Sequence, residues 1–233
     1  MPFSAALLDL DGTLLDTIPD LADATNAMRA DLGLEPLPQA IIATYVGKGT
    51  ENLIRRALSN TAGDAAATPE RIRLGLESFA RRYRQCNGNK AVLYPGALAG
   101  LQSFRKQGVK LAIVTNKPTE FTRPLLERAG IAGFFDHIVC GDTCPEKKPH
   151  PMPMLHACEL LRVDPAQALA IGDSINDAQA ARAAQITVLA VPYGYNEGQD
   201  VRTLAVDDIV SSIEAAAQWA AEHQSQTQQH PTT

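Results

Sequence analysis

The sequence predicts an α/β fold: a parallel, Rossmann-like sheet core with an all-helical segment inserted after its first strand. Three observations predict it. Short apolar runs recur along the chain, each too short for a helix and each closing on polar residues. Helical patterns separate them, as in βαβ units. One long stretch carries helical periodicity without any clear strand.

The first run is Ala5–Leu10, ending in Asp-Leu-Asp-Gly. Val109–Thr115 (VKLAIVT) repeats the form and runs into Asn116-Lys117-Pro118. Phe134–Cys140 (FFDHIVC) is a weaker strand, Ala168–Ile171 stops at Gly172-Asp173, and Ile186–Val191 stops at Pro192. Between them, Leu98, Leu101 and Phe104 are spaced for one helical face, with Gly108 as a stop. Pro151 starts a helix carrying Leu155, Cys158 and Leu161, and Asn176–Ala184 follows a Ser/Asn cap region. In the insert, residues 16–91, helical faces fall at Leu21, Ala24, Met28 and Leu32, then at Leu53, Ala57 and Leu58, then at Leu76, Phe79 and Tyr83. Tyr94-Pro95-Gly96 marks the return to the core. Trp219 and Ile213 read as the anchor of a last helix, and Gln224–Thr233 (QSQTQQHPTT) as a flexible polar tail. The division expected is a core of residues 1–15 plus 92–223, an insert of 16–91 and a tail of 224–233.

Composition bounds the function. Among 233 residues, 21 Lys+Arg stand against 26 Asp+Glu for a net charge of −5, and 45% are hydrophobic, which excludes a disordered chain. No basic cluster suits nucleic acid. No run of about 18 apolar residues suits a membrane span. Asp9 comes too early, and without Lys or Arg before it, for a signal peptide. Cys86, Cys140, Cys144 and Cys158 form no C-x-x-C pair and read as free thiols of a reducing cytoplasm.

Four polar clusters end four of the strands: Asp9 and Asp11, Thr115 and Asn116, Lys147 and Lys148, Asp173 and Asp177. In a parallel sheet with right-handed crossovers, all four converge on one edge, where open α/β sheets bind ligands. Clustered carboxylates without His or Cys select a hard cation, Mg²⁺ first. A Lys and a hydroxyl beside it make a pocket for a phosphoryl dianion, and a carboxylate there is able to attack phosphorus. That attack needs added positive charge. A carboxylate about 4 Å from a −2 phosphoryl group is repelled by roughly 8 kcal/mol at an effective dielectric near 20. Asp9 and Asp11, two apart, face one side of an extended chain, so one attacks while the other handles a proton. Gly12 permits close backbone approach.

Asp9-Leu-Asp-Gly-Thr-Leu-Leu-Asp-Thr, Thr115-Asn116, Lys148-Pro149 and Gly172-Asp173-Ser174-Ile175-Asn176-Asp177 resemble the four motifs of the haloacid dehalogenase superfamily of phosphatases. The resemblance implies a helical cap domain for the insert and Asp9 as nucleophile. It implies Asp11 as general acid and then base, and Thr115, Asn116 and Lys148 as phosphate ligands. It also implies Mg²⁺ on Asp9, Asp173 and the backbone carbonyl of Asp11, with Asp177 in support. The second Asp, Asp11, favours phosphoryl transfer over dehalogenation. Tyr45-Val46-Gly47-Lys48-Gly49, Lys147-Lys148-Pro149-His150-Pro151 and Tyr193-Gly194-Tyr195-Asn196 look like bacterial phosphoglycolate phosphatases. On that likeness the expected partner is a small phosphorylated metabolite, 2-phosphoglycolate, with Lys48 meeting its carboxylate. Three alternatives stay open: a sugar-phosphate phosphatase, a phosphomutase, and a phospho-accepting switch, although receiver domains are shorter and have no helical insert. Monomer and homodimer are both compatible with the sequence.

Overall fold

The computed structural model describes residues 3–60 and 67–227. The chain opens with β1 (Ala5–Leu8) and β2 (Leu15–Asp16). It then runs through four helices, α1 (Ile18–Asp31), α2 (Gln39–Ala43), α3 (Thr50–Ser59) and α4 (Pro69–Cys86). β3 (Val92–Leu93), α5 (Ala97–Lys106), β4 (Lys110–Val114), α6 (Thr119–Arg128) and β5 (His137–Val139) follow. The chain continues through α7 (Met152–Leu161), β6 (Ala168–Gly172), α8 (Ile175–Ala183), β7 (Thr187–Ala190), β8 (Asp208–Ile209) and α9 (Ile213–Thr227).

Six strands form one parallel sheet in the order β5-β4-β1-β6-β7-β8. β1 is central and has no solvent on either face, which is why it reads as continuous Ala-Ala-Leu-Leu rather than as an alternation. Ala6 and Leu8 join an apolar cluster with Leu101 and Phe104 of α5 and Ile213 and Ala216 of α9. Ala5 and Leu7 point the other way, to Met154 and Ala157 of α7 and Ala180 and Ala181 of α8. The core is therefore a sheet covered on both faces, as the sequence predicts.

Register carries the functional consequence. Leu8 pairs with Ile113 on one side and Ile171 on the other. The residues that follow, Asp9, Val114-Thr115 and Gly172-Asp173, emerge side by side on the C-terminal edge. The chain steps from β1 to β4 and β5 on one side, then returns through β6 on the other, so this edge is also where the strand order reverses.

Several sequence expectations shift. On α5 the buried stripe is Ala97, Leu101 and Phe104, and Leu98 is exposed. On α7 it is Met154, Ala157, Cys158 and Leu161, with Leu155 exposed. Each misplaced leucine sits one residue, about 100° of rotation, off the true face. Only His137–Val139 of the weak strand is extended, because Ala132–Phe134 coils into a 3₁₀ turn. β2, β3 and β8 have two residues each, too few to leave a periodic signature. β2 and β3 pair antiparallel where the chain leaves for the insert and returns from it. Helix α9 takes in Gln224–Thr227, so the expected tail does not begin at 224; its remainder, 228–233, lies outside the described residues.

Helices α1–α4 bury their apolar sides in a cluster of their own, with Met28, Ile54, Leu58, Phe79 and Tyr83 at its centre and Phe121 of α6 reaching in from the core. Among the described residues, no helix is long and apolar enough to cross a membrane. All four cysteines are free thiols.

Candidate active site

Asp9 follows β1 directly, and its amide donates to Ile171 O at 3.0 Å, which extends the sheet by one bond. The chain then turns tightly: Gly12 N donates to Leu15 O at 2.9 Å and Leu14 N to Leu10 O at 3.0 Å. Gly12 takes φ +86°, in the left-handed region that favours glycine. A Cβ there would lie 2.6 Å from Asp173 Oδ2, so the turn and the acidic cluster need a residue without one. The turn aims Thr13 Oγ1 at Asp173 Oδ1, 2.8 Å away.

Asp9, Asp173 and Asp177 bring carboxylate oxygens within 4.8 Å of one another, although Asp9 lies far from the other two in sequence. Asp173 also accepts from Tyr195 N at 2.7 Å. Asp177 closes a capping box at the start of α8, its Oδ2 accepting from Ser174 N at 3.1 Å and Ser174 Oγ at 2.7 Å. Its Oδ1 accepts from Lys148 Nζ at 2.6 Å, and Lys148 donates again to Val114 O at 2.6 Å. Lys148 Nζ also forms an ion pair with Asp9 Oδ1 at 3.0 Å. Burial, and then the neighbouring Asp177 and Asp173, push the Asp9 carboxyl up to about 8 against the pull of Lys148. Asp173 rises to about 6, by burial and then Asp177. Clustered carboxylates that repel one another, with oxygen as their ligand atom, fit a hard divalent cation. Both oxygens of Asp177 are engaged by Lys148 and the helix cap, and both oxygens of Asp173 accept from Thr13 and Tyr195.

The second motif carries Thr115 to the same edge, its amide on Val139 O at 3.0 Å. The side chain of Asn116, expected as a phosphate ligand, is engaged by backbone groups of two other segments. Its Nδ2 donates to Gly47 O at 2.9 Å and Lys148 O at 2.8 Å, and its Oδ1 accepts from Lys148 N at 3.0 Å. The amide therefore ties the Lys148 loop and the insert together.

Asp9, Asp11, Thr115 and Asn116 line one cavity, with an empty volume of about 490 Å³ including its mouth. Its opposite wall is apolar and comes mainly from the insert, including Leu21, Val46, Leu53 and Phe79. Lys48, expected to meet a substrate carboxylate, is not among its lining residues and borders a neighbouring groove with Lys147 and Lys148. The Lys48 ammonium pairs at 2.6 Å with Glu197. Glu197 also meets Arg56 at 3.2 Å, so a core loop holds the insert through two ion pairs.

Sequence reasoning missed Lys117. Its Nζ donates to Asp11 Oδ1 at 2.9 Å and Oδ2 at 3.3 Å, and to the hydroxyl of Tyr83 on α4 at 2.7 Å. Thr17 Oγ1 completes the hold on Asp11 at 2.5 Å. The one available signal was its place directly after Asn116, at the end of a strand that already supplies the site.

The model of the haloacid dehalogenase-like hydrolase family matches residues 6–191. A phosphoglycolate phosphatase of Nitrosospira multiformis is 48% identical, covering 91% of this chain and 93% of its own. One from Thiobacillus denitrificans is 44% identical, covering 93% and 95%. The crystal structure of a predicted phosphoglycolate phosphatase from Haemophilus somnus superposes with a TM-score of 0.89 at 32% identity, covering 93% of this chain and 97% of that one. CbbY from Rhodobacter sphaeroides, in complex with phosphate, superposes at 0.77 and 26% identity, covering 91% and 95%. This chain belongs to the haloacid dehalogenase-like hydrolase family.

Proposed function

We propose that this phosphoric monoester hydrolase cleaves 2-phosphoglycolate to glycolate and phosphate through a phosphoryl group carried on Asp9, with Mg²⁺ as cofactor. The observation that carries the reading is the cluster of Asp9 with Asp173 and Asp177, in which Lys148 pairs with Asp9 and Asp9 shares one cavity with Asp11. The names of the relatives supply the substrate.

Mg²⁺ held by Asp9, Asp173 and the backbone carbonyl of Asp11 would supply positive charge against the phosphoryl dianion. The remaining roles belong to the chain. Thr115 and Lys148 bind the phosphoryl oxygens. An Asp9 oxygen attacks phosphorus, the ester P–O bond breaks, and the leaving oxygen takes a proton from Asp11. Water then attacks phosphorus, gives its proton back to the Asp11 carboxylate, and the P–O bond to Asp9 breaks. In this reading the helical insert is a cap that roofs the cavity, residues 16–91 forming one unit and the rest of the fold the other.

A phosphate-release screen over small phosphorylated metabolites, with Mg²⁺ and with chelator, tests the proposal. Release from 2-phosphoglycolate above other esters, lost with chelator and in Asp9→Asn, is expected. Turnover by Asp9→Asn near that of the parent protein would rule out covalent catalysis at this position.

A further inference from the structure

Lys117 is a cation buried almost completely, with 7% of its surface exposed, and it spends its ammonium on two partners from different parts of the fold. One is Asp11 of the core, 106 residues away, gripped through both oxygens. The other is the hydroxyl of Tyr83 on α4 of the insert, itself only 1% exposed. Tyr83 is in turn fixed by aromatic contacts, its ring centroid 5.2 Å from Phe79 and 4.9 Å from Phe121 of the core. Phe121 and Tyr83 meet at 66°, close to an edge-on arrangement. A hydrogen-bonded chain thus runs from the insert through Lys117 to the carboxyl group that handles the proton. Burial by itself would lower the basicity of Lys117, but Asp11 and Tyr83 together hold it above its ordinary value.

A carboxyl group that transfers a proton must sit within hydrogen-bond reach of the ester oxygen in a fixed orientation, and an error of 1 Å costs rate steeply. Asp11 lies in a turn, with Thr17 as its other side-chain anchor. A lysine that contacts both oxygens fixes the plane of the carboxyl group, which one hydroxyl does not. We propose that Lys117 is a positioning residue for Asp11 and that Tyr83 holds Lys117 in place, so that the proton-transfer group is aimed when the insert is seated on the core. The proposal rests on the phosphatase reading above and adds to it the residues that connect the insert to the chemistry.

The test compares kcat/KM on three esters for the parent protein, Lys117→Met and Tyr83→Phe. p-Nitrophenyl phosphate has a leaving group that departs without protonation. Ethyl phosphate needs the proton and has no carboxylate, and 2-phosphoglycolate needs the proton and has one. In Lys117→Met, both alkyl esters are expected to fall at least about 30-fold relative to p-nitrophenyl phosphate, a large share of the roughly 10²–10⁴-fold that general acid–base catalysis supplies. Tyr83→Phe, which removes one hydroxyl and keeps the ring, should move the same ratio in the same direction by about three- to tenfold, the size of one ordinary hydrogen bond. Amide exchange at residues 83–86 should quicken about tenfold in Lys117→Met, because α4 loses its polar anchor on the core. Equal losses on all three esters would overturn the proposal. So would a loss confined to 2-phosphoglycolate, which would make Lys117 a carboxylate ligand, or a Tyr83→Phe ratio equal to that of the parent. If the parent protein hydrolyses none of the three esters, the phosphatase reading fails by itself. The exchange rates then still decide the link, and unchanged exchange would refute it.

Discussion

Lys148 Nζ and Asp177 Oδ1 stand 2.6 Å apart, with both residues almost entirely excluded from solvent. Asp177 therefore ties the cation proposed to bind phosphate to the start of α8, since its other oxygen caps that helix. Removing one partner of a buried pair leaves an uncompensated charge. In Asp177→Asn an amide N–H₂ must also face either an ammonium or the Ser174 donors. We expect a loss of about 3 kcal/mol or more in urea unfolding, together with a fall in kcat. A change under about 0.5 kcal/mol would mean that the pair carries little of the local structure.

Stability without metal should depend on pH. Asp9 is raised from 3.8 to about 8 and Asp173 to about 6, both chiefly by burial. The folded state therefore holds more protons than the unfolded state between about pH 4 and 8, and stability falls as pH rises through that window. Mg²⁺ binds the deprotonated carboxylates and stabilises by mass action. Thermal scans with chelator and with saturating Mg²⁺ should show a clearly larger Mg²⁺-induced rise in Tm at pH 8 than at pH 5. Asp9→Asn should flatten the metal-free pH dependence. Equal Mg²⁺ effects at both pH values would count against this cluster as the metal site.

Gly12 is a backbone requirement of the same cluster. Its φ of +86° disfavours any side chain, and a Cβ would press on Asp173 Oδ2. The strain in Gly12→Ala is about 1–3 kcal/mol, and relief by displacing Asp173 should weaken Mg²⁺ binding at least about tenfold. A metal titration followed by thermal shift checks this, with far-ultraviolet circular dichroism confirming an unchanged fold. An unaltered affinity would show that Asp173 does not depend on the turn.

Lys48 is half-exposed and already paired with Glu197. Lys48→Ala should change KM for 2-phosphoglycolate and for p-nitrophenyl phosphate by the same small factor, and stability by under about 1 kcal/mol. A rise in KM for the carboxylate-bearing ester alone would show that Lys48 leaves Glu197 for the substrate, and the expectation drawn from the sequence would be restored.

Local pattern along the chain suffices for the sheet and for the cluster of acids. Ala5–Leu8, Lys110–Val114 and Ala168–Gly172 are apolar because they are buried on both faces. Parallel pairing then obliges whatever follows each run to share one edge, so Asp9, Thr115 and Asp173 meet without any further instruction. Tertiary structure alone decided the partners. Lys117 reaches across 106 residues to Asp11 and 34 to Tyr83, and Lys48 finds Glu197, through side chains whose types and spacing announce nothing. The two-residue strands β2 and β3, the true buried faces of α5 and α7, and the tie of Asn116 to Gly47 belong to the same group. Local pattern records burial, which acts along an element. Contacts between the insert and the core join residues far apart in the chain, and no pattern along either segment records them.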